Sequence, residues 1–313
     1  VEKINPKHAS YNIDYTPFSK KRDQDLSKFF VQNKIEIITC EDALLQSPGA
    51  VLKPDKKPYT IFTPFRKKSQ LNIVRSPFSS ADIKFSTFDS ESLPLAKREE
   101  IVKVKNENIR VQGGRPEALQ LLVEFLSKVR KYSFDRDFPA KPGTSYLSAH
   151  LKFGTISARE VFWEIFSITK EDSTFLHELY WRDFFTHIGH FFPKVFGNAF
   201  KEKYDQIEWE NRKDFFEAWK TGSTGFPIVD AGMRELNTTG YMHNRVRMIV
   251  ASFLVKDLQI SWLEGAKWFW DTLIDADLAS NTMGWQWAGG CGADAAPYFR
   301  IFNPTLQGEK FDP

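Results

Sequence analysis

Beyond Gly113 the apolar residues fall at helical spacing, which restricts the larger part of this chain to an all-helical fold. Pro116 stands where a first helical residue would, and Leu119, Leu122, Val123, Leu126 and Val129 follow in step. Ser157-Ala-Arg-Glu160 and Ser261-Trp-Leu-Glu264 read as capping boxes, and Gly240 as a helix stop. The pattern predicts helices near 116–131, 147–153, 157–167, 174–191, 212–220, 227–238, 241–257 and 262–273, with the residues after the last of them in a loop. Ahead of Gly113 the texture differs. Residues 29–38, FFVQNKIEII, end in a strand-like run, Pro48-Gly49 and Pro54-Asp55 mark turns, and Tyr59 to Thr63 reads as extended. We therefore expect an α/β piece over 1–75, a polar interdomain linker over 76–112 and a helical domain over 113–313. The chain starts at Val1 rather than Met and stops just behind a motif, so both ends read as cut, with strands of the α/β domain and the end of the helical domain outside it.

Composition enters as a set of exclusions. With 313 residues, 42% of them hydrophobic, the chain has material for two domains and a large core. No run of eighteen apolar residues predicts a membrane helix, and no secretory signal is present. Cys40 and Cys291 form no CxxC and suit a reduced, cytoplasmic protein. Residues 1–112 carry 20 basic and 14 acidic side chains, whereas 113–313 carry 23 and 26. A nucleic-acid site in the second part must then be a local basic patch.

Several constellations exceed what a core requires. Glu178, Trp181, Arg182 and Phe185 share one face of a predicted helix, joining carboxylate, indole and guanidinium. Such a face can pack as an ordinary ion pair beside an aromatic, or meet a flat ligand with both stacking and hydrogen bonds. Asn244, Arg247 and Met248 share a face of the predicted helix 241–257, with Arg245 pointing elsewhere. Asp275-Ala-Asp277 falls at a predicted helix C-terminus, where acids oppose the macrodipole. Asn281 to Gln307 concentrates Trp285, Trp287 and many glycines and alanines, so that backbone can approach something large and flat. His187 and His190 stand at i, i+3, yet no carboxylate or cysteine completes a metal site. Gly290-x-Gly292-x-x-Ala295 lacks the strand that a dinucleotide fingerprint needs, and Asn237-Thr-Thr239 is a sequon without secretory context.

The order of these motifs carries more than any one of them. Gly143-Thr-Ser-Tyr-Leu-Ser148, Glu178-Leu-Tyr-Trp-Arg-Asp-Phe184, Thr224-Gly-Phe-Pro-Ile-Val-Asp-Ala-Gly-Met233, His243-Asn-Arg-Val-Arg-Met248, Asp275-Ala-Asp277 and Gly284-Trp-Gln-Trp287 follow one another. Over 132–313 the series resembles the FAD-binding domain of the DNA photolyase and cryptochrome family, and most of all a class I photolyase for cyclobutane pyrimidine dimers. Residues 1–75 resemble the end of that family's Rossmann-like antenna domain. The resemblance implies an α/β remnant followed by an all-α FAD-binding domain, acting as a monomer on UV-damaged DNA with no membrane partner. It implies FAD contacts from Tyr132, Thr144, Ser145, Leu147, Ser148, Arg182, Asn244, Arg247, Asp275, Ala276, Asp277 and Asn281. It implies Glu178, Asn281 and Met248 as the catalytic set, Trp285, Trp262 and Trp209 as an electron chain, and Arg136, Glu178, Trp181, Arg245, Trp287, Arg300 and Gln307 as DNA contacts. A second chromophore, folate or deazaflavin, would sit in the α/β part near Asn12 and Asp14. A six-four photolyase would carry histidines where Asn244 and Met248 stand. A plant-type cryptochrome would carry Asp for Asn281 and Tyr for Trp287. A non-enzymatic flavin-binding fragment is the reading from another class.

Overall fold

We describe a computed structural model of the chain, covering residues 6–78, 106–170, 173–297 and 299–313. The N-terminal part is a small α/β unit. Strand β1 (His8–Asn12) pairs in parallel with β2 (Glu36–Cys40), His8 opposite Glu36 and Asn12 opposite Cys40, and helix α1 (Pro17–Gln32) connects them. The strand-like run that ends residues 29–38 is strand from Glu36, while Phe29 to Gln32 ahead of it end α1. Helix α1 has Thr16 as its N-cap and buries only Ser19, which is why it showed no apolar stripe. The extended reading of Tyr59 to Thr63 is corrected as well, because α2 (Phe62–Ser69) begins inside it.

The helical part follows. It comprises α3 (Arg115–Leu126), α4 (Tyr132–Asp135), α5 (Ser148–Phe153), α6 (Ala158–Thr169) and α7 (Thr174–Phe191). Then come α8 (Lys213–Thr221), α9 (Pro227–Thr239), α10 (Asn244–Ser252), α11 (Trp262–Thr272), α12 (Leu278–Gly289) and α13 (Pro304–Phe311). Helix α10 runs on as a π-helical turn over Phe253–Asp257. Ser157 caps α6 by accepting from Glu160 N at 3.0 Å, as a capping box requires, whereas Ser261 accepts from Leu263 N at 3.3 Å instead of from Glu264. Gly240 ends α9 at φ 69°, a left-handed position that suits glycine. The linker expected over 76–112 lies largely outside the described residues. Its last part rests on the end of α9, with Arg110 N donating to Thr239 O at 3.1 Å.

Two apolar clusters build the core. The first gathers α2, α3, α6 and α7 around Phe65, Phe125, Phe184 and Ile188, and the second gathers α8 to α12 around Trp219, Met233, Leu254 and Trp285. Helix α12 lies between them, giving Met283 to the first and Trp285 and Ala288 to the second. This corrects the loop expected after residue 273. A helix buried on several sides has no single apolar stripe, so periodicity missed it. Its ends were legible: Asp277 Oδ1 accepts from Ser280 N at 2.8 Å as N-cap, and Gly290 closes it at φ 81°. Asp275 and Asp277 therefore precede a helix, where the macrodipole favours acids, and the opposition inferred from the sequence is reversed.

Candidate functional site

Helices α7, α10, α11 and α12 converge on a cavity of about 350 Å³, within the range of small-molecule sites. Helix α7 contributes Glu178, Trp181 and Phe185, α10 contributes Asn244, Arg247, Met248 and Ala251, and α12 contributes Ser280, Asn281, Gly284, Trp285 and Trp287. Asp275, Ala276 and Asp277 close one end, Phe269 and Leu273 supply apolar wall, and Arg136 reaches in from behind α4.

The polar geometry of this cavity is specific. Arg247 grips Asp275 with two parallel bonds, Nη1 to Oδ1 at 3.1 Å and Nη2 to Oδ2 at 2.8 Å, while its Nε donates to Met242 O at 2.7 Å. Burial alone would raise the Asp275 carboxyl, but the Arg247 guanidinium outweighs it and holds the group below its usual range. Ser148 also hydrogen-bonds this carboxylate, so the start of α5 borders the same end of the cavity. Asn281 Nδ2 donates to Ala266 O at 2.8 Å, which leaves Oδ1 as the acceptor on the cavity side. Trp285 is buried at 2% exposure, yet its Nε1 has no protein partner. Across the cavity Arg136 Nη1 pairs with Glu178 Oε1 at 2.5 Å, its guanidinium over the Tyr132 ring at 5.3 Å. Trp181 stacks face to face on Phe62 at 3.6 Å and 10°, so one side of the indole is backed by the α/β part.

The remaining residues singled out from the sequence lie off the cavity lining. Tyr132 is buried under Arg136, and burial followed by the nearby Glu178 charge pushes its phenol upward. Thr144, Ser145 and Leu147 form the turn into α5, which Tyr146 makes possible at φ 55°. Arg182 shares a helix with Glu178 but turns away, to the carbonyls of Ala43 and Leu151 at 3.5 Å each. Arg245 pairs with Asp137 at 2.5 Å beside the mouth. Arg300 is exposed in the loop after α12, and Gln307 lies on α13. Trp262 is buried at the start of α11, and Trp209 is half-buried in the segment before α8. The chain segments that carry them are joined by neighbours: Glu210 N donates to Gln259 O at 3.1 Å and Ser261 N to the Asn211 side-chain Oδ1 at 2.9 Å.

Comparison with known proteins bears on this arrangement. A family model for the FAD binding domain of DNA photolyase matches residues 175–313, and one for DNA photolyase matches 1–81. A deoxyribodipyrimidine photo-lyase of Synechococcus is 35% identical over 100% of this chain and 68% of its own length. The chain belongs to the DNA photolyase family. The Escherichia coli K12 deoxyribodipyrimidine photo-lyase is 37% identical over 97% of this chain and 66% of its own length, so this chain spans about two thirds of such relatives. Among solved structures, a bacterial class III photolyase from Agrobacterium tumefaciens superposes with a TM-score of 0.91 at 37% identity, over 98% of this chain and 66% of the other. The motifs had suggested class I. The photolyase FAD-binding match begins at the second residue of α7 and takes in the whole cavity lining except Arg136.

Sequence reasoning missed four contributors. Phe62 backs Trp181 from far away in the chain, with no local signal. Trp219, fully buried, meets Trp285 edge-on at 6.0 Å and donates from Nε1 to Val250 O at 3.0 Å. Gln286, between the two photolyase tryptophans, donates from Nε2 to Val195 O and Asn198 O at 3.0 Å each and accepts from Phe200 N at 2.9 Å. Gly284 faces the cavity with nothing within 4 Å of where a Cβ would stand. A glycine inside a helix costs about 1 kcal/mol relative to alanine, which was a usable signal.

Proposed function

We propose that this chain is a light-driven DNA repair enzyme that splits cyclobutane pyrimidine dimers, with FAD held in the cavity between α7, α10 and α12. The observation that carries the reading is the joining, in one cavity, of two kinds of group. The Arg247–Asp275 pair, Asp277 and the Asn281 acceptor share its lining with Glu178, Met248, Trp181 and Trp287. The residues fit a flavin. Asn281 Oδ1 is an acceptor on the lining, and Gly284 leaves room for a flat ring against the helix backbone. Held there in its reduced form, FAD would supply light-driven one-electron donation.

The chain's own residues bind, orient and exclude water. Asn281 Oδ1 accepts from a ring N–H, and Asp275 and Asp277 accept from ligand donors, with Tyr132, Thr144, Ser145, Leu147 and Ser148 on the phosphate and adenosine side. Trp181 and Trp287 stack against the flipped bases, worth about 1–3 kcal/mol per base. Met248 floors that pocket, and Glu178 hydrogen-bonds the dimer. Arg136, Arg245, Arg300 and Gln307 meet the DNA backbone, and Trp285, Trp262 and Trp209 relay an electron from the surface. Asn281 and Trp287 favour this reading over a cryptochrome, and Asn244 and Met248 favour it over a six-four photolyase. We further propose 1–75 as part of an antenna domain, 76–112 as its linker and 113–313 as the FAD domain. A second chromophore near Asp14, which lines a separate cavity of about 480 Å³, is part of the proposal. So is a monomer in a reducing compartment, in keeping with free Cys40 and Cys291. Among the described residues no helix is long and apolar enough to cross a membrane. The test is spectroscopic: the purified chain takes up about one FAD and shows flavin absorption that bleaches under blue light with a reductant. A protein that refuses FAD overturns the reading.

A further inference from the structure

The mouth of the cavity holds a charge arrangement that the proposed function does not use. Asp137 Oδ1 accepts from Arg245 Nη2 at 2.5 Å and lies 4.0 Å from Arg136 Nε. One carboxylate oxygen therefore sits between the guanidiniums of Arg245 and Arg136, the second of which lines the cavity. The rest of the Arg245 head group is little satisfied: Nη1 has only the Met248 sulfur at 4.0 Å, and Nε is buried without a partner. Phe311 covers its face at 4.4 Å. Arg245 is thus held in place by packing, with Asp137 as its one strong acceptor. Asp137 itself is a third exposed (36%), so it can swing to solvent when displaced.

We propose that Asp137 is an affinity-limiting residue, occupying in the free protein the position that a phosphodiester oxygen takes on Arg245 and Arg136 when DNA binds. The inference rests on the DNA-binding reading above. A phosphate oxygen and a carboxylate oxygen make the same short charge-assisted bond to a guanidinium. DNA must therefore displace the Asp137 oxygen before it gains the arginines. That exchange subtracts from sequence-independent binding, which phosphate contacts dominate. Stacking of a lesion inside the cavity is untouched by the exchange, so the carboxylate raises the relative weight of the lesion.

The test is Asp137→Asn in the flavin-loaded chain, read by fluorescence anisotropy with undamaged and thymine-dimer oligonucleotides over a salt series. The variant should bind both DNAs about tenfold more tightly at low salt, with a salt slope close to that of wild type, because the same phosphate contacts form in both complexes and only the carboxylate to be displaced is gone. In an Arg245→Gln background the gain from Asp137→Asn should shrink, since the competing oxygen has lost its main cation. The double variant keeps the test decisive if the single one folds poorly. Binding by Asp137→Asn that is equal to or weaker than wild type, including no binding by either, overturns the proposal and makes Asp137 an orienting residue at most. Tighter binding without preference for the dimer sustains the role of Asp137 and sinks the lesion reading instead.

Discussion

At the scale of single residues, the chemistry of the cavity was legible where an unusual side chain had no core role. The Asp275-Ala-Asp277 acids, Asn281 and the 284–287 tryptophans stood out by type alone, and the structure brings all of them to one cavity. Arg182 was equally conspicuous, but its guanidinium serves the carbonyls of Ala43 and Leu151, a choice set by tertiary neighbours that spacing does not encode. Gly284 gives the sharpest prediction at this scale. Gly284→Leu places a side chain in open cavity, in a helix that tolerates leucine well, so fold stability should stay within about 1 kcal/mol of wild type. FAD affinity should fall by a factor of about 100 or more, checked by flavin fluorescence titration beside urea unfolding, because the side chain occupies the ligand's own space. Unchanged affinity would place the flavin elsewhere.

At the scale of elements, the positions of α3 and of α5 to α11 followed from caps and periodicity, while α1, α2, α4, α12 and α13 did not. The failures share a cause. Helix α1 buries almost nothing and α12 is buried on several sides, so neither presents the one-sided stripe that periodicity detects. What seats α12 is a close approach invisible to periodicity. A Cβ on Gly265 of α11 would stand 2.1 Å from Trp285 Cη2 and 2.7 Å from Leu254 Cδ2. Gly265→Ala should therefore force α11 and α12 apart and destabilise the fold by about 1–3 kcal/mol, measured by chemical denaturation. The displaced indole belongs to the cavity wall, so the quenching of bound flavin fluorescence should weaken in the same variant. Loss of stability with unaltered quenching would show that the indole had not moved. The Thr224–Met233 motif resolves at this scale too. Asp230 accepts from Thr224 N and Gly225 N at 2.8 and 3.0 Å, and Gly232 leaves room for Val246, so that motif serves packing of α9 on α10.

At the scale of the whole molecule, buried titratable groups tie stability to pH. Burial lowers His187 and His243 to about 4, below the usual 6.5, and lowers His150 and His190 as well. Between those limits the unfolded chain binds protons that the native protein refuses, so this stability is present above pH 6.5 and is lost as pH falls toward 4. Asp183, fully buried, is pushed up to about 7 and acts in the opposite sense, since the native state keeps a proton that the unfolded chain has released. Burial raises Glu235 and Asp257 in the same sense as Asp183, so the four lowered histidines are opposed by three carboxyls. Unfolding free energy should rise with pH between about 4.5 and 6.5, by no more than about 1.4 kcal/mol per unit, the slope of one net proton. Urea midpoints at spaced pH values check this, and a flat or falling profile contradicts it. None of these groups advertised its burial in the sequence, where His187 and His190 stood out only by their i, i+3 spacing.

The account as a whole turns on whether this cavity delivers an electron to damaged DNA. The direct measurement is repair of a thymine-dimer oligonucleotide by the protein loaded with reduced FAD, in blue light and in darkness, followed by recovery of absorbance at the thymine band. Restored thymine in the light, none in the dark, and none in the light with Gly284→Leu is the result expected. Protein that binds and photoreduces FAD yet leaves the dimer intact in the light would contradict it.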